Sequence, residues 1–388
     1  MTPAARVAAA IGILDRWLVG APLEAAYTAW AKASRFAGSG DRAAVRDLLY
    51  DAVRRKRSYA ALGGAETGRG LMLGAVRAAG TAPEEVFTGT GHGPEALRTD
   101  EVTAGRTPLG AEALDLPDWL LPSFEVVYGP RTADVLEILR ERAPVHLRIN
   151  LRRLGRAEAV RRLGSEGIRA VPHPTVESAV EITEGTRRLA RSALLTGGLA
   201  EPQDASSQAV VARLCREAPV RVLDYCAGAG GKALAFADLS EADIVAHDIA
   251  WRRMAPLEGR AARAGARVRK VAPEALAAEA PFDLVFCDAP CSGSGTWRRD
   301  PEAKWRLTPE RLAELQAMQR TVVRAAAAHV GPGGRLAYAT CSVLAEENEQ
   351  LAGAAAELLP GWTEEDRLRL DPGPAGDGFF LVSFRAPR

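Results

Sequence analysis

The chain has 388 residues, 47% of them hydrophobic and 26% charged, an ordinary globular composition with length for two or three domains. Its 50 Lys and Arg against 49 Asp and Glu leave a net charge of +1, so the overall balance names no partner. Five scattered cysteines make no disulfide framework, Arg6, Asp15 and Arg16 break the start of the chain, and no apolar run reaches the ~18 residues of a membrane span. Secreted, disulfide-stapled and membrane-spanning readings are excluded, and a reducing, cytoplasmic setting is expected.

From Pro3 to about Ala79 apolar residues recur at helical spacing, as at Val45, Leu48, Leu49 and Val53, which predicts an all-helical front module over 1–80. Asp41 is expected as an N-cap, and Arg54–Arg57 suits the C-terminal turn of the same helix. Gly, Pro and Thr dominate 81–111, the composition of a linker. A small α+β module is expected over 112–215, with strands at Val145–Leu151 and Gly167–Val171 and a helix at Arg156–Leu163. Residues 216–388 alternate strand and helix in the manner of a doubly wound, Rossmann-like parallel sheet. Its strands are expected at Val220–Tyr225, Ile244–Asp248, Arg267–Val271, Asp283–Cys287 and Arg335–Thr340. A last pair, near Trp362–Leu370 and Phe379–Phe384, lacks a helical crossover and suits an antiparallel hairpin on the sheet edge. In such sheets ligands bind beyond the carboxyl ends of the strands.

Charge is uneven along the chain. Arg148–Arg169 holds seven arginines against Glu158 and Glu166, and Arg252–Lys270 holds seven cations against Glu258. Basic blocks of this kind fit nucleic-acid binding through phosphate contacts. Only five of the 50 cations are Lys, however, so compositional bias or solvated helix faces are the usual account of such runs.

Three motifs could carry chemistry. In Val222-Leu-Asp-Tyr-Cys-Ala-Gly-Ala-Gly-Gly-Lys232 a strand ends at Asp224 and runs through Gly228, Gly230 and Gly231 into a helix, so backbone can approach a ligand at a helix N-terminus. Asp248 closes the next strand, where an acid can accept both ribose hydroxyls of a nucleoside. With Ala233 these glycines also satisfy a looser dinucleotide fingerprint, leaving NAD and S-adenosylmethionine open; a merely tight turn is the structural alternative. Cys226 and Ala233 stand where a Walker-type phosphate loop needs Gly and Ser/Thr. The second motif ends an apolar strand in Asp288-Ala-Pro-Cys291 and opens into Ser292-Gly-Ser-Gly295. The third strand ends in Cys341. A single strand-end thiol is more often packing than nucleophile, but two beside an acid and a nucleoside loop point to one crevice.

These residues resemble a known family. Asp288-Ala-Pro-Cys-Ser-Gly-Ser-Gly295, Arg299-Asp-Pro-Glu-Ala-Lys-Trp305, Tyr338-Ala-Thr-Cys-Ser342, Glu346-Glu-Asn-Glu349 and Asp377-Gly-Phe-Phe380 are similar to the RsmB/Nop/Sun family of RNA cytosine carbon-5 methyltransferases. Leu147-Arg-Ile-Asn150 and Gln203-Asp-Ala-Ser-Ser-Gln208 resemble the extension that precedes its catalytic domain, and the front zone is similar to a shortened NusB-like domain. The resemblance implies a class I methyltransferase sheet, S-adenosylmethionine as cofactor and structured RNA, ribosomal above all, as partner. It assigns the nucleophile to Cys341, product release to Cys291, the grip on the base to Asp288 and a place beside the base to Lys232. For Lys232 a solvated lysine at a helix start is the alternative. The cofactor set it implies is Asp224, Cys226, Ala227, Gly228, Gly230, Gly231, Lys232, Asp248, Arg253 and Asp288.

The chain departs from the family pattern at Ala229-Gly230 and Ala233, which change neither charge nor nucleophile, and at Lys270-Val-Ala-Pro-Glu274, where Glu274 is at most a shifted stand-in for an adenine-contacting Asp. Cys226 and Cys287 also read as packing thiols, and Cys215 takes no role. The histidines lack metal-ligand spacing, so no metal is expected; a monomer is expected. Trp297 and Trp305 border the cationic Arg298–Arg306 and either stack on RNA bases or pack as ordinary indoles. Two rival readings remain, an NAD-dependent oxidoreductase on the same glycine loop and a non-catalytic RNA-binding assembly factor.

Overall fold

Pro3 takes the first helical position and the Thr2 hydroxyl accepts the Ala5 amide, so the chain enters a helix at once, Pro3–Leu18. The computed structural model describes residues 1–388 in two units: Met1–Glu141 with Trp297–Arg306, and Arg142–Thr296 with Leu307–Arg388. None of its helices is long and apolar enough to cross a membrane.

In the first unit, helices Pro3–Leu18, Leu23–Ala33, Ser39–Arg54, Lys56–Gly63 and Gly68–Ala78 bury Ile13, Leu14, Val45, Leu49, Leu71 and Leu73 in one core. Asp41 is not the N-cap expected of it. Gly38 holds that place, while Asp41 sits inside the first turn and takes the Met1 ammonium at 3.0 Å and Arg6 at 2.8 Å. The cationic run is likewise split, since Arg54 ends one helix and Arg55 separates it from the next. The stretch 81–111, linker-like in composition, contains short helices and is strapped down: Arg69 pairs with Glu101 at 2.7 Å, and Arg77 donates to the Glu101 carbonyl at 2.5 Å. Buried Asp115 accepts the Ser58 amide and hydroxyl and Arg140, each at 2.8 Å. In the 297–306 segment the Trp305 indole donates to the Val53 carbonyl at 2.7 Å, and Arg54 donates to the Arg298 carbonyl at 2.8 Å.

The second unit holds two sheets. The smaller contains β1 (Val145–Ile149), β2 (Arg169–Pro172), β3 (Ala179–Glu184) and β4 (Ala200–Pro202) in the order β2-β3-β1-β4, every pairing antiparallel. The larger contains β5 (Arg221–Asp224), β6 (Asp243–Ala246), β7 (Val268–Lys270), β8 (Phe282–Asp288), β9 (Val330–Thr340), β10 (Thr363–Leu370) and β11 (Phe379–Arg385). Its order is β10-β11-β9-β8-β5-β6-β7. The pairings from β9 to β7 are parallel, and β11 runs antiparallel to both β9 and β10, so the expected edge hairpin has its second strand inside.

Apolar layers cover both faces of this sheet, Phe236, Phe286 and Leu257 on one and Val285, Tyr338 and Phe380 on the other. Helix Ala205–Leu214, at the end of the stretch read as the small module, packs Val210, Val211 and Leu214 into the core of the large sheet. Register places Asp224 beside Phe286 and Ala246, and Asp288 beside Ala339. The carboxyl ends of β5, β6, β8 and β9 therefore open on one edge.

Candidate active site

Beyond β5 the chain must turn sharply to start helix Gly231–Leu239. Gly228 and Gly230 make the turn at φ of 54° and 83°, in the left-handed region glycine favours. A Cβ on Gly230 would overlap the Leu257 side chain. The loop is tied by backbone: the Ala227 amide donates to the His247 carbonyl and the Gly230 amide to Ala227, each at 2.8 Å. Two arginines hold its carbonyls, Arg260 at Ala229 (2.5 Å) and Arg148 at Gly231 (2.9 Å). Arg148, itself buried, also pairs with Asp238 at 3.0 Å and donates to Gln203 at 2.5 Å. The buried Asp248 carboxylate accepts the Gly228 and Ala250 amides, each at 2.8 Å, and the half-exposed Arg253 at 3.2 Å. Asp224 differs. It is 1% exposed, yet neither of its side-chain oxygens has a hydrogen-bond partner. Burial first, and then the charge of Asp288, push its carboxyl up to about 7, against the opposing pull of Lys232 and of the Ala233 amide, which faces it outside hydrogen-bond geometry.

The two motif thiols meet. Cys291 Sγ and Cys341 Sγ lie 3.5 Å apart, on loops leaving the neighbouring strands β8 and β9. The Cys291 thiol is pushed well up, first by its hydrogen bond to Cys341, then by burial. Lys232, in the first turn of its helix, is mostly covered and not solvated. Its Nζ donates to Asp288 Oδ2 at 2.5 Å and lies 5.3 Å from the centre of the Phe379 ring. Burial works to lower the Lys232 ammonium, but the charge and hydrogen bond of Asp288 outweigh it and leave it raised, with Cys341 and Asp224 adding to the effect. Cys226 and Cys287 are pushed up chiefly by burial, as expected of packing thiols.

Glu274 is exposed, in the short turn Pro273–Ala275. Trp297 is 1% exposed and packs 6.0 Å from the Phe124 ring, so of the two roles open to it the structure shows the packing one. Sequence reasoning gave no role to Arg148, Gln203, Arg260 or Gln319. The first two lie in stretches that matched the family pattern, a signal available but unread; Arg260 stood only within the basic block Arg252–Lys270, and Gln319 had no local mark.

A family model described as 16S rRNA methyltransferase RsmB/F matches residues 213–373, and one for the RsmF/B-like ferredoxin-like domain matches residues 116–187. Ribosomal RNA small subunit methyltransferase B of Klebsiella pneumoniae (strain 342) is 31% identical over 280 residues, 69% of this chain and 65% of that protein. The protein of the same name from Salmonella typhi has the same identity and coverage, 31% over 280 residues. The chain thus matches 65% of the length of these relatives. Among solved structures, PH0851 superposes with a TM-score of 0.76 at 23% identity, covering 99% of each chain. NSun6 from Pyrococcus horikoshii, solved with SFG, superposes at 0.61 with 19% identity, over 70% of this chain and 99% of that one. At these identities the solved structures speak for the fold.

Proposed function

Since the chain belongs to the RsmB/Nop/Sun family of RNA methyltransferases, we propose that it methylates carbon 5 of a cytidine in ribosomal RNA, with S-adenosylmethionine as donor and Cys341 as the nucleophile. The observation that carries this reading is the 3.5 Å approach of Cys291 and Cys341 beside the Lys232–Asp288 pair.

When bound, S-adenosylmethionine supplies an electrophilic methyl group on a positively charged sulfur. The residues present fit it: Asp224 offers a buried carboxyl whose oxygens have no partner, and buried Asp248 stands two residues beyond β6. Carbon 5 of cytosine is a poor nucleophile until carbon 6 carries an electron-rich substituent. The Cys341 thiolate adds to carbon 6, and the electron pair displaced onto carbon 5 would take the methyl group, the pair of the broken sulfur–methyl bond staying with the donor's sulfur. Asp288 holds the amino group and ring nitrogen of the base, where charge builds up during attack, and Lys232 keeps cationic charge beside both. Release needs the proton on carbon 5 to leave, so that the carbon 6–sulfur bond breaks and the pair returns to Cys341. The largest cause holding the proton on Cys291 is its hydrogen bond to Cys341. Once Cys341 is bonded to carbon it accepts that hydrogen bond less well, so Cys291 can give its proton to solvent, and the resulting thiolate takes the carbon 5 proton in the release step. The target base must leave its stack for its ring face to be attacked.

Cys341→Ala is expected to abolish turnover and covalent capture together, while Cys291→Ala accumulates an RNA adduct that migrates slowly under denaturing conditions. Equal adduct formation by both variants would overturn the role assignment. Calorimetry with S-adenosylmethionine and with NAD tests the cofactor, and bisulfite mapping of RNA from cells with and without the gene locates the cytidine.

A further inference from the structure

The turn after β9 carries Glu346-Glu-Asn-Glu349, which the chemistry above does not use. Glu347 and Asn348 are both 0% exposed, and burying a carboxylate and an amide side by side is costly unless every polar atom is satisfied. The Glu347 carboxylate accepts the Ser292 amide at 2.8 Å, the Ser292 hydroxyl at 2.5 Å and the Gln319 side-chain amide at 2.9 Å. The same Gln319 nitrogen donates to the Pro290 carbonyl at 2.9 Å. Both chain neighbours of Cys291 are thereby tied to one buried pair.

Asn348 does the same for the other thiol. Its Oδ1 accepts the Thr340 hydroxyl at 2.6 Å and its Nδ2 donates to the Ser342 carbonyl at 2.9 Å, and Thr340 and Ser342 flank Cys341. Two residues adjacent in sequence, about 3.8 Å apart at Cα, therefore grip one thiol loop each. The Tyr338 hydroxyl, donating to the Glu347 carbonyl at 2.8 Å, fastens the turn to β9.

We propose that Glu347 and Asn348 are positioning residues that set where the two sulfurs stand, Glu347 governing Cys291 and Asn348 governing Cys341. The inference rests on the thiol roles given above. Glu347 has a second effect through charge: it adds to the causes that keep the proton on Cys291, behind the contact with Cys341 and burial. Loss of Glu347 frees the Cys291 loop, so release is impaired by misplacement even though the thiol becomes more acidic, and loss of Asn348 impairs capture by freeing the Cys341 loop.

The test uses the full chain in two assays. In the first, iodoacetamide alkylation of the ligand-free protein is followed at each cysteine by mass spectrometry across pH, with no RNA or methyl donor present. Glu347→Gln should move the Cys291 profile about one pH unit lower, whereas Ser292→Ala, which keeps the charge, should leave its midpoint in place. In the second, RNA is added with the methyl donor. Glu347→Gln should slow release about tenfold and accumulate adduct, and Asn348→Ala should slow capture about tenfold without accumulation. Should either variant fail to fold, Ser292→Ala and Thr340→Val each remove a hydroxyl of the network and should give weaker slowing of release and of capture, respectively. An unchanged Cys291 profile in folded Glu347→Gln, or equal effects of the paired variants on capture and release, overturns the proposal. A shifted profile in a protein whose wild type forms no RNA adduct would instead overturn the functional reading and leave Glu347 acting on Cys291.

Discussion

The glycine loop after β5 and the thiol loops after β8 and β9 stand at the same edge of one sheet, yet they are held in opposite ways. The glycine loop is strapped from outside, by Arg148 and Arg260 on its carbonyls, while Asp224 beneath it keeps two buried oxygens without partners. The thiol loops are knitted from within by buried side chains, Ser292, Ser294 and Ser342 together with Glu347 and Asn348. Buried polar groups normally find partners. Asp224 thus keeps both its oxygens free where a ligand is expected, whereas the Glu347 and Asn348 side chains spend theirs on the loops that hold the two sulfurs.

The largest test of this contrast removes the outer strap. Arg148→Leu leaves Asp238 buried without its cation and takes a donor from Gly231 and Gln203. Breaking one partner of such a pair costs about 3–5 kcal/mol. Denaturant unfolding should show a loss of that size, with weaker cofactor binding and an unaltered Cys291 alkylation profile. A shifted thiol profile would show that the two regions are not separately held.

A smaller effect, opposite in sign, is expected at Asp224. Its carboxyl is raised to about 7 in the folded chain against an ordinary value of 3.8. Between those values the native state binds more protons than the unfolded one, so stability falls as pH rises through the window. Asp224→Asn, which cannot ionise, should stabilise the ligand-free protein by up to a few kcal/mol above pH ~7 and by nothing below pH ~4. The same change should cost at least about tenfold in affinity for a cationic donor. Thermal melts across pH with and without the donor read both effects. A variant less stable than wild type at high pH would mean that Asp224 already has a partner.

How much of this was legible in the sequence follows from where each signal lies. The strands that carry the site were readable because each is an apolar run ending in a distinctive residue, Asp224, Asp288 or Cys341. β3 and β4 of the small sheet were not read, and β4 is three residues long, too short to show a period. Asp41 misled because an acid near a helix start resembles a cap whether it precedes the first turn or lies within it. The long-range contacts that hold the two loops were out of reach for another reason. Gln319 sits on helix Pro309–Ala327, 28 positions from Glu347, and Arg148 meets Asp238 across 90, separations at which local pattern is silent. Nor does a motif say whether the Asp in it is satisfied, since that depends on which donors the fold brings near.

The smallest expected effect concerns Arg253, which the family resemblance places in the cofactor set. Its side chain is 60% exposed and pairs with Asp248 at 3.2 Å, a geometry in which an ion pair contributes between nothing and about 1 kcal/mol. Asp248 does not depend on it, because the Gly228 and Ala250 amides already hold the carboxylate. Arg253→Ala should therefore leave the melting temperature within about 1–2 °C of wild type. Any change in donor affinity then reports direct contact between Arg253 and the ligand, and should fade as salt is raised if the contact is electrostatic. Unchanged affinity at low salt would remove Arg253 from the cofactor set. It would leave the glycine turn, Asp224 and Asp248 as the whole of that side of the crevice.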